Sequence, residues 1–208
     1  MHVLVKCKGM IMVAVVLCCC KVVCAQSIDV KILSSINPDN PNSRFWHQTS
    51  NSAYWAGAAL PAGTLIYGLI NDDENAKHMS YDLFISLGAN VLLTDVLKKS
   101  FNRTRPMDKY PGMIFSSPSN DMSLPSGHTS LAFATATTLS LQFKKWYVIV
   151  PAYAWAGSVA YSRMYLGKHY PSDIIGGAIV GVGSGFASHW LNRKLFKRYY
   201  YKNRLYER

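Results

Sequence analysis

Gly176-Gly177-Ala178-Ile179-Val180-Gly181-Val182-Gly183-Ser184-Gly185 is the run on which the fold turns. It lies inside an apolar segment, 174–191, of helical length, yet five of its ten residues are glycine. In water, each glycine in a helix interior costs about 1 kcal/mol relative to alanine. Helices that pack in lipid instead use small residues to bring backbones close together. The run therefore argues for a helix packed against others in a membrane, and Ala154-Trp155-Ala156-Gly157-Ser158 repeats the pattern.

Four further apolar segments precede it, at 53–70, 81–97, 129–143 and 147–161, joined by short polar stretches. Lengths of about 15–18 residues suit short membrane spans or the buried helices of an all-α protein. The expected architecture is all-α, a bundle of five core helices that span a membrane, forming one domain over 53–191. A polar segment at 26–52 leads into it, with turn signals at Asn37-Pro38 and Asp39-Asn40, and a basic tail at 192–208 follows.

The chain has 208 residues, half of them hydrophobic and 16% charged, which excludes intrinsic disorder and coiled coil. Its mean hydropathy of +0.05 lies between soluble and polytopic membrane proteins and leaves both open. The net charge of +11 is concentrated at the two ends. Lys6, Lys8 and Lys21 stand near the start without an acid, and seven Lys/Arg against Glu207 fill 192–208. A nucleic-acid binder would spread its positive charge along a folded face, so no nucleic-acid partner is expected.

Residues 1–25 have the three-part layout of a secretory signal: Lys6 and Lys8, an apolar run at 10–20, then Val23-Cys24-Ala25. Cleavage after Ala25 is expected, the alternative being a retained membrane anchor. Either way Gln26 starts on the far side of the membrane. All five cysteines fall within the first 24 residues, so no disulfide framework exists beyond them.

With Gln26 outside, five spans leave the carboxyl terminus inside, where Arg193, Lys194, Lys197, Arg198, Lys202 and Arg204 obey the positive-inside rule. Lys144-Lys145 also falls inside. The segment 98–128 falls outside yet carries Lys98, Lys99, Arg103, Arg105 and Lys109. An anionic substrate would balance that basic loop.

Three short segments stand at helix ends on this outer side: Lys98 to Arg105-Pro106, Pro125-Ser126-Gly127-His128, and Ser162-Arg163 followed by His169 and Asp173. Singly, each has a bland reading as topology charges, a helix-starting turn or a satisfied polar residue. Together they bring three cations, two histidines and a carboxylate to one face, where Ser126-Gly127 supplies free backbone N–H groups at a helix start. Such a helix start flanked by cations is an anion site, and arginine's planar fork suits phosphate. His169 can attack phosphorus, with Asp173 accepting a hydrogen bond from its other ring nitrogen. His128 can protonate the leaving oxygen and later deprotonate water. Lys98, Arg105 and Arg163 can hold the equatorial oxygens of the transition state. No metal or other cofactor is called for, since no clustered carboxylates offer to bind one.

Lys98-x6-Arg105-Pro106, Pro125-Ser126-Gly127-His128 and Ser162-Arg163-x5-His169-x3-Asp173 resemble, in order and spacing, the three-part signature of the type 2 phosphatidic acid phosphatase superfamily. The resemblance implies His169 as nucleophile, His128 as acid and base, and Asp173 as the partner of His169. It implies Lys98, Arg105, Ser126, Gly127 and Arg163 as phosphate ligands. The run 165–177 is similar to the membrane-bound bacterial members, whose substrates are lipid A, undecaprenyl pyrophosphate, phosphatidylglycerophosphate and phosphatidic acid. This implies a multi-pass phosphatase of the bacterial inner membrane, facing the periplasm and acting on a phosphorylated lipid through a phosphohistidine. A soluble periplasmic acid phosphatase is the alternative within the same superfamily.

Overall fold

Every fourth residue of one long helix, from Asp82 through Ser86, Asn90 and Thr94 to Lys98, is polar and buried. The computed structural model describes residues 28–195 and is helical throughout its regular structure. In chain order the elements are α1 (residues 28–36), α2 (Arg44–Ile70), α3 (Glu74–Phe101), α4 (Pro106–Lys109), α5 (Gly127–Phe143), α6 (Trp146–Tyr165) and α7 (Pro171–Leu195). The expected signal or anchor at 1–25, the cysteines and most of the basic tail lie outside the described residues.

α5 is the central helix, packed against α7, α6, α3 and α2, whereas α6 and α7 barely meet. The α3–α5–α7 core is held by polar contacts. Thr94 and Ser130 share a hydrogen bond of 2.8 Å, and Ser130 donates to Asn90 at 2.7 Å. Thr138 donates to Ser86 at 3.0 Å, and Gln142 and Asn192 donate to the Asp82 carboxylate. Gly181 lets α5 and α7 approach, because a Cβ there would stand 2.3 Å from the Ser130 carbonyl oxygen.

The outer surface has the opposite character. Leu92 of α3 is 71% exposed and Ile179 of α7 67%, with Ile66, Leu69, Val96, Val150 and Phe186 also bare. Each such side chain in water forgoes about 1.5–3 kcal/mol of burial. A soluble helix turns its apolar stripe inward, and these helices turn theirs outward toward a solvent that is itself apolar. α2, α7 and the stretch Glu74–Lys109 that contains α3 are each long and apolar enough to cross a membrane. The chain is an all-α membrane protein.

All five expected segments are helices, but they extend past the apolar runs. α2 starts at Arg44 rather than 53, α3 at Glu74 rather than 81, and α7 spans Pro171–Leu195 rather than 174–191. Hydropathy marks only the lipid-crossing part, whereas the helix ends where its backbone is capped. Asp73 does this for α3, accepting from the amides of Asn75 (2.9 Å) and Ala76 (3.2 Å). Asn102, in the left-handed conformation at φ 45°, closes α3 next to Lys98.

Candidate active site

The eight residues singled out in the sequence come from the ends of five helices and one joint, and meet at one end of the bundle. Lys98 lies in the last turn of α3, and Arg105 immediately precedes α4. Ser126 stands at the N-cap position of α5, which Gly127 and His128 open. Arg163 lies in the last turn of α6, His169 in the joint that follows, and Asp173 in the first turn of α7. Gly167, at φ +64°, makes that joint possible, since a Cβ there would also stand 2.3 Å from the Phe115 carbonyl oxygen.

His169 is 1% exposed, and its Nδ1 lies 2.8 Å from the Ser123 carbonyl oxygen. A carbonyl only accepts, so Nδ1 carries the proton and Nε2 the free lone pair. Burial pushes the imidazole down to about 4; the Arg163 and Arg105 cations add to the shift, and Asp173 opposes it. His169 is therefore neutral at physiological pH, as a nitrogen nucleophile must be.

Two expectations are corrected in detail. Asp173 does not take the hydrogen bond from His169; its Oδ2 stands 3.7 Å from Nδ1, which is already committed to Ser123. Its carboxylate is filled by the Ser123 hydroxyl at 2.5 Å, the Tyr170 amide at 3.0 Å and Arg103 at 2.6 Å. Nor is the Ser126 amide free, since it donates to the Asp173 carbonyl at 3.1 Å and thereby ties α5 to α7. Gly127 remains as a donor in the first turn of α5, where amides have no partner carbonyl within the helix.

Arg163 is 7% exposed and donates from Nη1 to Ser50 at 2.6 Å. Its Nε is buried without a hydrogen-bond partner, and no carboxylate pairs with it among the described residues. A buried guanidinium left without an anion is costly unless a ligand completes it.

Lys98 and Arg105 are paired, and both reach Asp121. Arg105 donates to Asp121 Oδ2 at 3.2 Å and to its carbonyl at 2.8 Å, and Lys98 donates to the same Oδ2. Partial burial works to raise the Asp121 carboxyl, but Lys98 and Arg105 outweigh it and hold it below the usual carboxylate range. Asp121 thus occupies, with one carboxylate, the cations expected to hold phosphate.

Sequence reasoning missed Asp121, Ser123, Ser50, Arg103 and Tyr54 as parts of the site. The Tyr54 ring stands edge-on to His128, with centroids 4.4 Å apart. Beside the site opens a cleft of about 810 Å³ lined by Asn42, His47, Met107, Asp108, Phe115 and Lys168, among others. Burial, with Arg163 and Arg105, lowers Lys168 to about 8.

One end of this helical membrane bundle gathers His128, His169 and the buried cations Lys98, Arg105 and Arg163, an arrangement suited to an anion. The chain belongs to the PAP2 superfamily, whose family model matches residues 80–197. It is 36% identical over 74 residues to the lipid A 4'-phosphatase of Bacteroides thetaiotaomicron, covering 36% of this chain and 33% of that protein. It is 32% identical over 116 residues to an undecaprenyl-diphosphatase of Sulfolobus acidocaldarius, covering 55% of this chain and 56% of that one. The match thus spans about half or less of these curated relatives. Among solved structures, Aquifex aeolicus LpxE superposes with a TM-score of 0.61 at 26% identity, over 76% of this chain and 92% of that one. The transmembrane PAP2 type phosphatidylglycerolphosphate phosphatase of Bacillus subtilis gives 0.60 at 24% identity, over 82% and 87%, and shares the fold.

Proposed function

We propose that this chain is a metal-independent phosphatase that hydrolyses a lipid-linked phosphate monoester or pyrophosphate through a phosphohistidine. The observation that carries this reading is Arg163, a buried cation with an unpartnered Nε, in a site that also holds a neutral His169 with Nε2 unprotonated. The oxygens of a phosphate supply what Arg163 lacks, and Lys98, Arg105 and the Gly127 amide are the other donors.

In the first step His169 Nε2 bonds to phosphorus as the ester or anhydride P–O bond breaks, and His128 gives its proton to the departing oxygen. In the second, water attacks the phosphohistidine, its proton passes to His128, and the P–N bond breaks to release inorganic phosphate. Asp173, close to Nδ1 but not bonded to it, steadies the positive charge on the ring through its field.

The relatives named above act on lipid A and undecaprenyl diphosphate, and the apolar outer wall would present the site to lipids of that kind. That wall also speaks against the soluble acid phosphatase. The basic residues of the carboxyl-terminal end support an orientation in the bacterial inner membrane with the site toward the periplasm.

The test is phosphate release by detergent-solubilised wild type and His169→Ala, with chelator present. The panel is lipid A, undecaprenyl pyrophosphate, phosphatidylglycerophosphate, phosphatidic acid and p-nitrophenyl phosphate. Release from a lipid that disappears in His169→Ala is the expected result. Full turnover by His169→Ala, or preference for the water-soluble ester, would overturn the reading.

A further inference from the structure

We propose that Arg103 is a positioning residue that holds the Asp173 carboxylate behind His169, and that Asp29 of α1 in turn holds Arg103. The inference rests on the catalytic reading of His169 and Asp173 above.

Asp173 is wholly buried, and a carboxylate in that setting needs a cation and a full set of donors. Arg103 supplies the cation. Its Nη1 lies 2.6 Å from Asp173 Oδ1 and 2.6 Å from the Ser172 hydroxyl, and its Nη2 lies 2.9 Å from Asp29 Oδ2. The guanidinium stacks on Tyr170, 4.0 Å from the ring centroid, which fixes the plane of the fork.

Asp29 is buried as well and closes the arrangement from the other side. Its carboxylate accepts from the Ser172 amide at 3.1 Å and from the Ser172 hydroxyl at 2.5 Å. One guanidinium therefore bridges two buried carboxylates, one in α1 and one in the first turn of α7. The two oxygens of Asp173 face different partners, Oδ1 toward Arg103 and Oδ2 toward Ser123 and His169. Arg103 thus acts on the nucleophile through Asp173.

This separates Arg103 from Arg163, although both are arginines of the same end of the bundle. Arg163 has an uncommitted Nε, whereas both terminal nitrogens of Arg103 are engaged by carboxylates. Loss of Arg103 then lets Asp173 shift relative to the ring, which slows the chemical step and leaves phosphate binding in place. A lysine can neutralise Asp173 but cannot span both carboxylates with one planar fork.

The experiment compares Arg103→Gln, Arg103→Lys, Asp29→Asn and the double variant Asp29→Asn/Arg103→Gln in detergent, on the panel lipid that wild type turns over fastest. Melting temperatures are measured alongside, so that rates refer to folded protein. Arg103→Gln is expected to lower kcat about 10- to 100-fold with KM within about twofold. Arg103→Lys should recover part of that loss. Asp29→Asn should lower kcat several-fold, and the double variant should fall no further than Arg103→Gln alone.

A rise in KM at unchanged kcat would make Arg103 a phosphate ligand, and wild-type kinetics in Arg103→Gln would remove it from the mechanism; either overturns the proposal. Additive losses in the double variant overturn the role of Asp29. Should Arg103→Gln not fold, Arg103→Lys and Asp29→Asn decide the matter by the same split between kcat and KM. Activity in His169→Ala would defeat the underlying catalytic reading, whereas an inactive His169→Ala beside a normal Arg103→Gln would defeat this inference alone.

Discussion

The main-chain carbonyl of Ser123 aims the ring of His169, accepting from Nδ1 at 2.8 Å, while Asp173 stands back at 3.7 Å. Tautomer and orientation are thus set by a group that cannot titrate. In the proposed mechanism the charge that develops on the ring would meet a carboxylate that touches it only through its field.

The titration of His169 follows from that arrangement. Burial holds its proton affinity low, so it stays neutral as pH falls until about 4. NMR of the imidazole nitrogens in detergent should give a midpoint near 4, with Nδ1 protonated throughout; a midpoint near the ordinary value of about 6.5 would contradict it. The sign of the linkage is also defined. Between about 6.5 and 4 the unfolded chain binds a proton that the folded one does not, so stability falls as pH drops through this window. His169→Gln should remove that dependence.

If Lys98 and Arg105 hold the substrate phosphate as proposed, Asp121, which pairs with both, competes with it. Asp121→Asn removes the internal anion, and inorganic phosphate should then inhibit at about two- to fivefold lower concentration, the range expected of a half-exposed ion pair. An inhibition constant that is unchanged or higher would mean that Asp121 orders the cations instead of competing for them.

Arg163→Lys keeps the charge and loses the fork. The contact proposed between Nε and phosphate is lost and the Ser50 contact is weakened, so kcat/KM should drop by at least about tenfold, as loss of a charged hydrogen bond implies. Steady-state kinetics on a lipid substrate check this, and a loss under threefold would place Arg163 outside the phosphate contacts. Arg105→Lys, which also loses the contact to the Asp121 carbonyl, is expected to behave in the same way.

Two glycines of α7 make a matched pair for stability. A Cβ at Gly181 meets the Ser130 carbonyl oxygen at 2.3 Å and the Ala134 amide nitrogen at 2.9 Å, whereas at Gly183 nothing lies within 4 Å. Gly181→Ala should therefore destabilise the bundle by about 1–3 kcal/mol. Gly183→Ala should be neutral or stabilising by up to about 1 kcal/mol. Thermal melts in one detergent compare them, and equal effects would dismiss the close packing of α5 on α7.

The five core helices and the convergence of Lys98, Arg105, His128, Arg163, His169 and Asp173 were legible, because apolar runs and fixed local spacings carry them. Helix ends were not, since α2 continues through the polar residues 44–52 that supply Ser50 to Arg163. Asp29 and Arg103 escaped for a related reason. Arg103 meets Asp173 across 70 positions and Asp29 across 74, and no local pattern announces such a pairing. Asp121 sits in an irregular stretch without periodicity, so only the fold brings it to the cations.

The buried polar file on α3 bears on how the protein is made. An aspartate at the centre of a lone helix in hydrocarbon costs about 2.5–3.5 kcal/mol. The Asp82 carboxylate finds its donors in Gln142 and Asn192, 60 and 110 residues further along the chain. α3 is synthesised before either partner exists, so this carboxylate lacks both donors until α5 and then α7 have followed it. Docking of those two helices completes a polar group that α3 alone leaves bare, and so ties α3, α5 and α7 into one unit within the membrane.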